Sequence, residues 1–245
     1  MTTAGGPAAN AGRLAIVTGG SRGLGAALCD LYLAEGWRVV DLSRSAPHPF
    51  SVALDLARPG EAAGIFEETL SRAAASSLVE VVAVNNAAVV EPVGPVERSS
   101  PGAIVEHVGV NVVAAILFAR AFVAAFQAHD CPKTFVNVSS GAATRGIAGW
   151  SLYCATKAAL ENFIRAVALE QAARPHPISA ININPGVMDT EMQATVRSAS
   201  REDFPTVDRF IRYKNEGALA PPERVASRIA AIVASRPEAG GVYSV

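Results

Sequence analysis

The chain has 245 residues, 50% of them apolar and 18% charged, with a formal net charge of −1. A chain of this size can bury a large core without a disulfide or metal staple, and its charge balance offers neither a basic field for nucleic acid nor an acidic tail. Three separated cysteines (Cys29, Cys131, Cys154) and four scattered histidines (His48, His107, His129, His176) show no ligand spacing, so neither a metal nor a disulfide framework is expected.

Residues 1–12 are small and polar, with no basic stretch and no apolar leader. They read as a loose end on a cytoplasmic protein. Arg13–Thr18 is a short β-branched strand run that leads into a glycine-rich turn, and Leu24–Glu35 then carries apolar residues at helical spacing. Strand runs follow at Trp37–Leu42, Phe50–Leu54 and Val79–Val84, with a helix over Pro59–Ala75 between the last two. A long helix with an apolar stripe is expected over Pro101–Ala128, a strand over Thr134–Val138, a second long helix over Gly149–Ala173 and a strand over Ile178–Ile183. Helices around Arg201–Asn215 and Pro222–Ser235 and an edge strand at Gly241–Val245 complete the chain. No apolar run is read as long enough to cross a bilayer.

Alternating strands and helices, with strands apolar throughout, predict parallel βαβ units. The expected fold is a Rossmann-type doubly wound α/β sheet of about seven strands, one domain over 13–245. Met188–Leu219 is the least regular stretch. It follows a strand end, where open α/β sheets bind ligands, and reads as a substrate lid over 188–219.

Thr18–Gly25 reads TGGSRGLG between a strand and a helix. Gly19, Gly23 and Gly25 let the backbone turn tightly and approach a pyrophosphate, Ser21 and Leu24 lie in the same turn, and the helix N-terminus supplies free N–H groups. No lysine follows, so a nucleotide-triphosphate loop does not fit. Sheets of this kind that prefer NAD place an acid at the end of the second strand; here that end is Ser43-Arg44. A hydroxyl and two guanidinium groups, Arg22 and Arg44, suit a 2′-phosphate, which favours NADP(H). Asp41, two residues before Ser43, remains able to reach a ribose.

Tyr153 and Lys157 stand at i and i+4, on one helical face. An ammonium near a phenol favours its ionised form and pulls its pKa toward the working range. Ser140, at the end of the fifth strand, can hydrogen-bond a carbonyl oxygen as charge develops. Asn111 on the long helix can hold a water behind Lys157. Lysine is scarce: of 21 basic residues only Lys133, Lys157 and Lys214 are lysines. Lys157 has a reason to be a compact ammonium; at Lys133 and Lys214 arginine is expected to be tolerated.

In order along the chain, TGGSRGLG, Asn85-Asn86-Ala87-Ala88, Asn111, Ser140, Tyr153/Lys157 and Pro185-Gly186 resemble the short-chain dehydrogenase/reductase family over residues 13–245. The resemblance implies an Asn111–Ser140–Tyr153–Lys157 tetrad, Ser140 being preferred to Ser139 because it lies thirteen residues before the tyrosine. It also implies cofactor contacts from Asp55, Leu56, Asn86, Ala87 and Ala88, and from Pro185, Gly186, Val187 and Thr190. The family's NNAG is NNAA here, with Ala88 in the glycine position. Gly149–Lys157 resembles segments of sepiapterin reductases and benzil reductases, and Pro185–Phe204 resembles the (S)-benzoin-forming benzil reductases. That implies an NADPH-dependent reductase acting on one carbonyl of an aromatic 1,2-diketone, with Trp150, Met188, Met192 and Phe204 lining an apolar pocket. Pterin reduction ranks second, because sepiapterin reductases anchor the pterin with a carboxylate near the C-terminus and this chain ends Val242-Tyr243-Ser244-Val245 with no acid there. Another ketone reductase, or an NADP(H)-binding sensor without turnover, stays open. The two long apolar helices imply a homodimer, or a tetramer, and a small-molecule carbonyl partner rather than nucleic acid or membrane.

Overall fold

A computed structural model describes residues 12–245; apart from Gly12, the loose segment expected over 1–12 lies outside the described residues. Seven strands form one sheet in the order β3-β2-β1-β4-β5-β6-β7. They are β1 (Arg13–Thr18), β2 (Arg38–Ser43), β3 (Ser51–Ala53), β4 (Glu80–Asn85), β5 (Lys133–Val138), β6 (Ser179–Asn184) and β7 (Val242–Ser244). Every neighbouring pair is parallel. The chain starts in the middle of the sheet, runs to one edge and then returns to build the other half. The crevice between β1 and β4 is therefore where the strand order reverses.

Parallel strands must be covered on both faces, and the helices divide accordingly. On one face α2 (Pro59–Ala74), α4 (Ala114–Phe126) and α5 (Ser151–Ala172) pack Phe66, Leu70, Phe118, Phe122, Phe126 and Ile164 onto Leu14, Ile16, Val81 and Ala83. On the other, α1 (Gly23–Ala34) and α8 (Pro222–Ala234) pack Leu24, Leu28, Tyr32, Val225 and Ile229 onto Ala15, Val17, Val82 and Val84. Successive residues of β1 thus serve opposite cores, as the two-residue period of a strand requires. Each fully buried Phe or Leu contributes about 1.5–3 kcal/mol of burial.

Three expectations are corrected. The helix expected over Pro101–Ala128 is α3 (Pro101–Val108), a π turn over Gly109–Val113 and α4. Asn111 in that turn is tied to both backbone groups of Val89, a tertiary constraint that a periodicity cannot show. Second, Pro101–Phe126 does have the length and composition of a membrane-crossing helix. In the fold that apolar length goes into packing, with the Phe118 and Phe122 rings tilted against Phe135 of β5. Third, the least regular stretch holds a helix that was not expected, α6 (Glu191–Arg197), before the expected one, α7 (Val207–Asn215). The helix expected from Arg201 begins only at Val207, because Ser200 and Asp203 form a turn between their side chains and backbone.

Lys133 corrects the reading of the lysines. It is buried, and its Nζ donates to the carbonyls of His129 and Cys131 at the end of α4. Burial holds its ammonium below the usual lysine range. A broader guanidinium overfills this site, so Lys133→Arg is expected to destabilise the fold by about 1–3 kcal/mol. Thermal denaturation of the variant checks this. Lys214, paired with Asp189 at the surface, has no such constraint.

Candidate active site

A cleft of about 2040 Å³ runs along the C-terminal ends of the strands, from the glycine-rich turn to α7. Most ligand pockets are roughly 300–1,000 Å³, so this one has room for a dinucleotide and a second molecule. The turn opens it. Gly19 adopts φ +73° and donates its N–H to Leu42 O at 2.8 Å. A Cβ at Gly25 would stand 2.1 Å from Gly19 O, so only glycine lets α1 start this close to the turn. No side chain caps the N-terminus of α1. Its free N–H groups and positive dipole end suit a pyrophosphate.

Ser21, Arg22, Gly23 and Leu24 line the cleft with Gly19, whereas Gly25 lies behind the turn. Asn86, Ala87 and Ala88 line it from the end of β4. Asn86 is also a strut: its side chain donates to the carbonyl oxygens of Thr18 (3.0 Å) and Gly19 (3.3 Å). Ser43, Arg44, Asp55 and Leu56 line the far end, and Pro185, Gly186, Val187 and Thr190 face them across the cleft. Arg44 is exposed and makes no hydrogen bond or ion pair with another described residue. Arg22 is instead paired with Glu191 of α6, which links the turn to the segment beyond β6. Asp41 does not reach the cleft: it is fully buried and bonded to Gly20, Ser43 and Ser51. An uncapped helix end beside a cleft of this length fits a dinucleotide cofactor.

The other end is built on α5 and the loop after β5. Lys157 lies above the Tyr153 ring, its Nζ 5.6 Å from the ring centroid, and donates to Val138 O at 2.7 Å. Ser140 accepts from the Ala142 N–H at 3.2 Å and lines the cleft beside Tyr153. Its neighbour Ser139 is turned inward and donates to Glu161 Oε1 at 2.6 Å. That leaves Ser140 as the hydroxyl available at the mouth.

The electrostatics differ from the expectation. Burial pushes the Tyr153 phenol up to about 12, with the Ser140 hydroxyl pulling it back and Cys154 adding to the rise. Burial pushes the Lys157 ammonium down to about 8. Lys157 gives its hydrogen bond to a carbonyl rather than to the phenol oxygen, so desolvation outweighs its attraction for the phenolate.

Asn111 lies behind this group rather than on the cleft. Its Oδ1 accepts from Val89 N–H (2.9 Å), and its Nδ2 donates to Val89 O (2.8 Å) and His107 Nε2 (3.0 Å). Its side chain is fully engaged, so a water can be held only by its backbone. His107, one of the four scattered histidines, is buried. Its Nδ1 lies 2.6 Å from Glu91 O. A carbonyl only accepts, so Nδ1 carries the hydrogen and Nε2 accepts from Asn111. Its position one turn before Asn111, on the same helical face, was the signal that could have found it.

Trp150, Met188 and Met192 line the cleft, and the Tyr153 hydroxyl faces Met192 Sδ at 4.0 Å. Phe204 does not line it. It is fully buried behind Trp150, with ring centroids 4.8 Å apart. The wall is completed by Phe210 and Tyr213 of α7, which the sequence reading did not name. Gly149 (φ +81°) makes this packing possible, since a Cβ there would meet Asp203 O at 2.3 Å.

Residues 13–201 match the sequence pattern of the short chain dehydrogenase family. The chain is 35% identical over 237 residues to the benzil reductase ((S)-benzoin forming) of Bacillus subtilis, covering 95% of this chain and 98% of the relative. It is 32% identical over 229 residues to the enzyme of the same name from Bacillus cereus, covering 89% and 92%. Among solved structures it resembles the KRED1-Pglu enzyme, with a TM-score of 0.80, 29% identity and coverage of 94% of this chain and 99% of that one. The chain belongs to the short-chain dehydrogenase/reductase family, a family of NAD(P)(H)-binding enzymes that act on small molecules, and it is an oxidoreductase.

Proposed function

We propose that the protein is an NADPH-dependent carbonyl reductase that converts one carbonyl of an aromatic 1,2-diketone to an alcohol. The observation that carries the reading is the Tyr153 phenol, kept protonated by burial and open to the cleft between Ser140 and the aromatic wall of Trp150 and Phe210. The long match to two benzil reductases supports the diketone, and the free guanidinium of Arg44 supports the 2′-phosphate.

NADPH bound along the cleft supplies the hydride. Tyr153 holds the proton that the carbonyl oxygen takes up as hydride reaches the carbon. A phenol raised to about 12 is fully protonated at neutral pH, which suits the reductive direction. Ser140 donates a second hydrogen bond to the same oxygen and stabilises the charge that develops there. Lys157 places a positive charge against the face of the Tyr153 ring, and the backbone of Asn111 is left to hold the water that returns a proton. Residues 188–219 act as the lid, with Met192 against the phenol oxygen and Trp150, Met188 and Phe210 excluding water around an aromatic substrate. Exposed Val105, Val113 and Leu169 on α3, the π turn and α5 support pairing of two copies through these helices.

The Lys157 charge sets a pH limb. It is present below about 8 and lost as pH rises through that value. Because kcat/KM reports the free enzyme, kcat/KM for reduction is expected to be level near neutrality and to fall roughly tenfold per unit at high pH. A profile flat to well above pH 9 contradicts this role. The function itself is tested by NADPH consumption with benzil, 1-phenyl-1,2-propanedione and sepiapterin. Turnover of the diketones above sepiapterin is expected. Tight NADPH binding with no turnover across a broad carbonyl panel would instead identify a sensor.

A further inference from the structure

The carboxylate of Asp41 decides what Ser43 can offer a cofactor. Asp41 is fully buried on β2. Its Oδ1 accepts the Gly20 N–H at 2.7 Å, and its Oδ2 accepts the hydroxyls of Ser43 and Ser51, each at 2.7 Å. A carboxylate has acceptors only, so the single hydroxyl hydrogen of Ser43 is committed inward. What Ser43 presents to the cleft is an oxygen lone pair, backed by a negative charge that no cation pairs with among the described residues. A ribose 2′-hydroxyl can donate to that oxygen; a 2′-phosphate, itself a set of acceptors, cannot use it.

The arrangement is held rigidly. A Cβ on Gly20 would lie 2.6 Å from Asp41 Oδ1 and 2.7 Å from Cys29 Sγ, so the glycine-rich turn closes directly on the carboxylate. The Cys29 thiol is pushed up to about 12, first by burial and then by the Asp41 charge, and stays neutral beside it. Beyond Ser43, Arg44 is the guanidinium that stands free at this end of the cleft among the described residues, since Arg22 is engaged with Glu191.

We infer that Asp41 is a specificity-determining residue that acts through Ser43. Ser43 accepts a hydrogen bond from the ribose 2′-hydroxyl of a nucleotide lacking the phosphate, Arg44 holds a 2′-phosphate without help from Ser43, and Asp41 keeps the preference for the phosphate below what Arg44 alone would set. The inference rests on reading this crevice as the adenosine end of the cofactor site.

The test uses binding of the fragments 5′-AMP and 2′,5′-ADP to the full chain, read by calorimetry. In Asp41→Asn the Gly20 N–H still requires the oxygen, which turns the amide nitrogen toward Ser43 and Ser51. The nitrogen donates to both hydroxyls, frees the Ser43 hydrogen for the cleft and removes the charge. Preference for 2′,5′-ADP over 5′-AMP is expected to rise roughly tenfold. Ser43→Ala, a small change that leaves Asp41 in place, is expected to weaken 5′-AMP severalfold and 2′,5′-ADP little. An unchanged or lowered preference in Asp41→Asn, or a larger loss of 2′,5′-ADP than of 5′-AMP in Ser43→Ala, overturns the inference while leaving the cofactor site standing. If the wild-type chain binds neither fragment nor either reduced nicotinamide nucleotide, the site reading fails and this inference with it.

Discussion

Tyr153→Phe is expected to lower kcat for carbonyl reduction by roughly 100- to 10,000-fold, the usual worth of a positioned acid, while NADPH binding stays near wild type. The substitution removes one oxygen. The ring keeps its packing against Trp150 (5.3 Å between centroids) and its place under Lys157. Among the described residues the Tyr153 hydroxyl is engaged by the Ser140 hydroxyl and faces Met192 Sδ at 4.0 Å, both at the cleft, so its loss removes no contact within the core. Loss of the proton donor without loss of cofactor binding is the pattern that separates a chemical role from a structural one. Fluorescence titration with NADPH and steady-state kinetics on the same preparation provide both readings. Wild-type turnover in the variant would remove Tyr153 from the chemistry.

Arg44→Ala is expected to reduce the preference for NADPH over NADH in kcat/KM by roughly 10- to 100-fold, mostly through KM for NADPH. Charge-assisted hydrogen bonds to a phosphate are worth about 1.5–3 kcal/mol. Arg44 is the guanidinium at this end of the cleft without another partner among the described residues. Arg22 is the second candidate, but its exposed pair with Glu191 is of the kind that contributes little to stability, so it can exchange toward a phosphate. If Arg44→Ala leaves the preference unchanged, Arg22 is the principal phosphate ligand instead.

Much of the framework is legible in the sequence, because the physics that sets it is local. Short β-branched runs such as Leu14–Val17 and Val81–Val84 are buried on both sides and have no other stable use. Strand positions fell within a residue or so of those observed. The glycines at 19, 23 and 25 and the Tyr153/Lys157 spacing are constraints of backbone and helix geometry, and the glycine-rich turn, Tyr153 and Lys157 line one cleft.

What was not legible depends on partners distant in sequence. The π turn at Gly109–Val113 follows from Asn111 clasping Val89, and the burial of His107 from Glu91 O. Asp41 had the right position to reach a ribose but is drawn inward by Gly20, Ser43 and Ser51. Phe204 had the right composition for a pocket wall but supports Trp150 from behind, and α7 supplies Phe210 instead. Lys133, given no reason by composition, is held by two carbonyls at the end of α4. In each case the residue type was readable and its partner was not.

The central claim is hydride delivery to one carbonyl of a 1,2-diketone. Incubating the enzyme with benzil and NADPH deuterated at nicotinamide C4, on the transferred face, tests it directly by mass spectrometry of the product. Benzoin carrying one deuterium at its carbinol carbon is the predicted result. Absence of benzoin despite tight NADPH binding, or benzoin without the label, would contradict it.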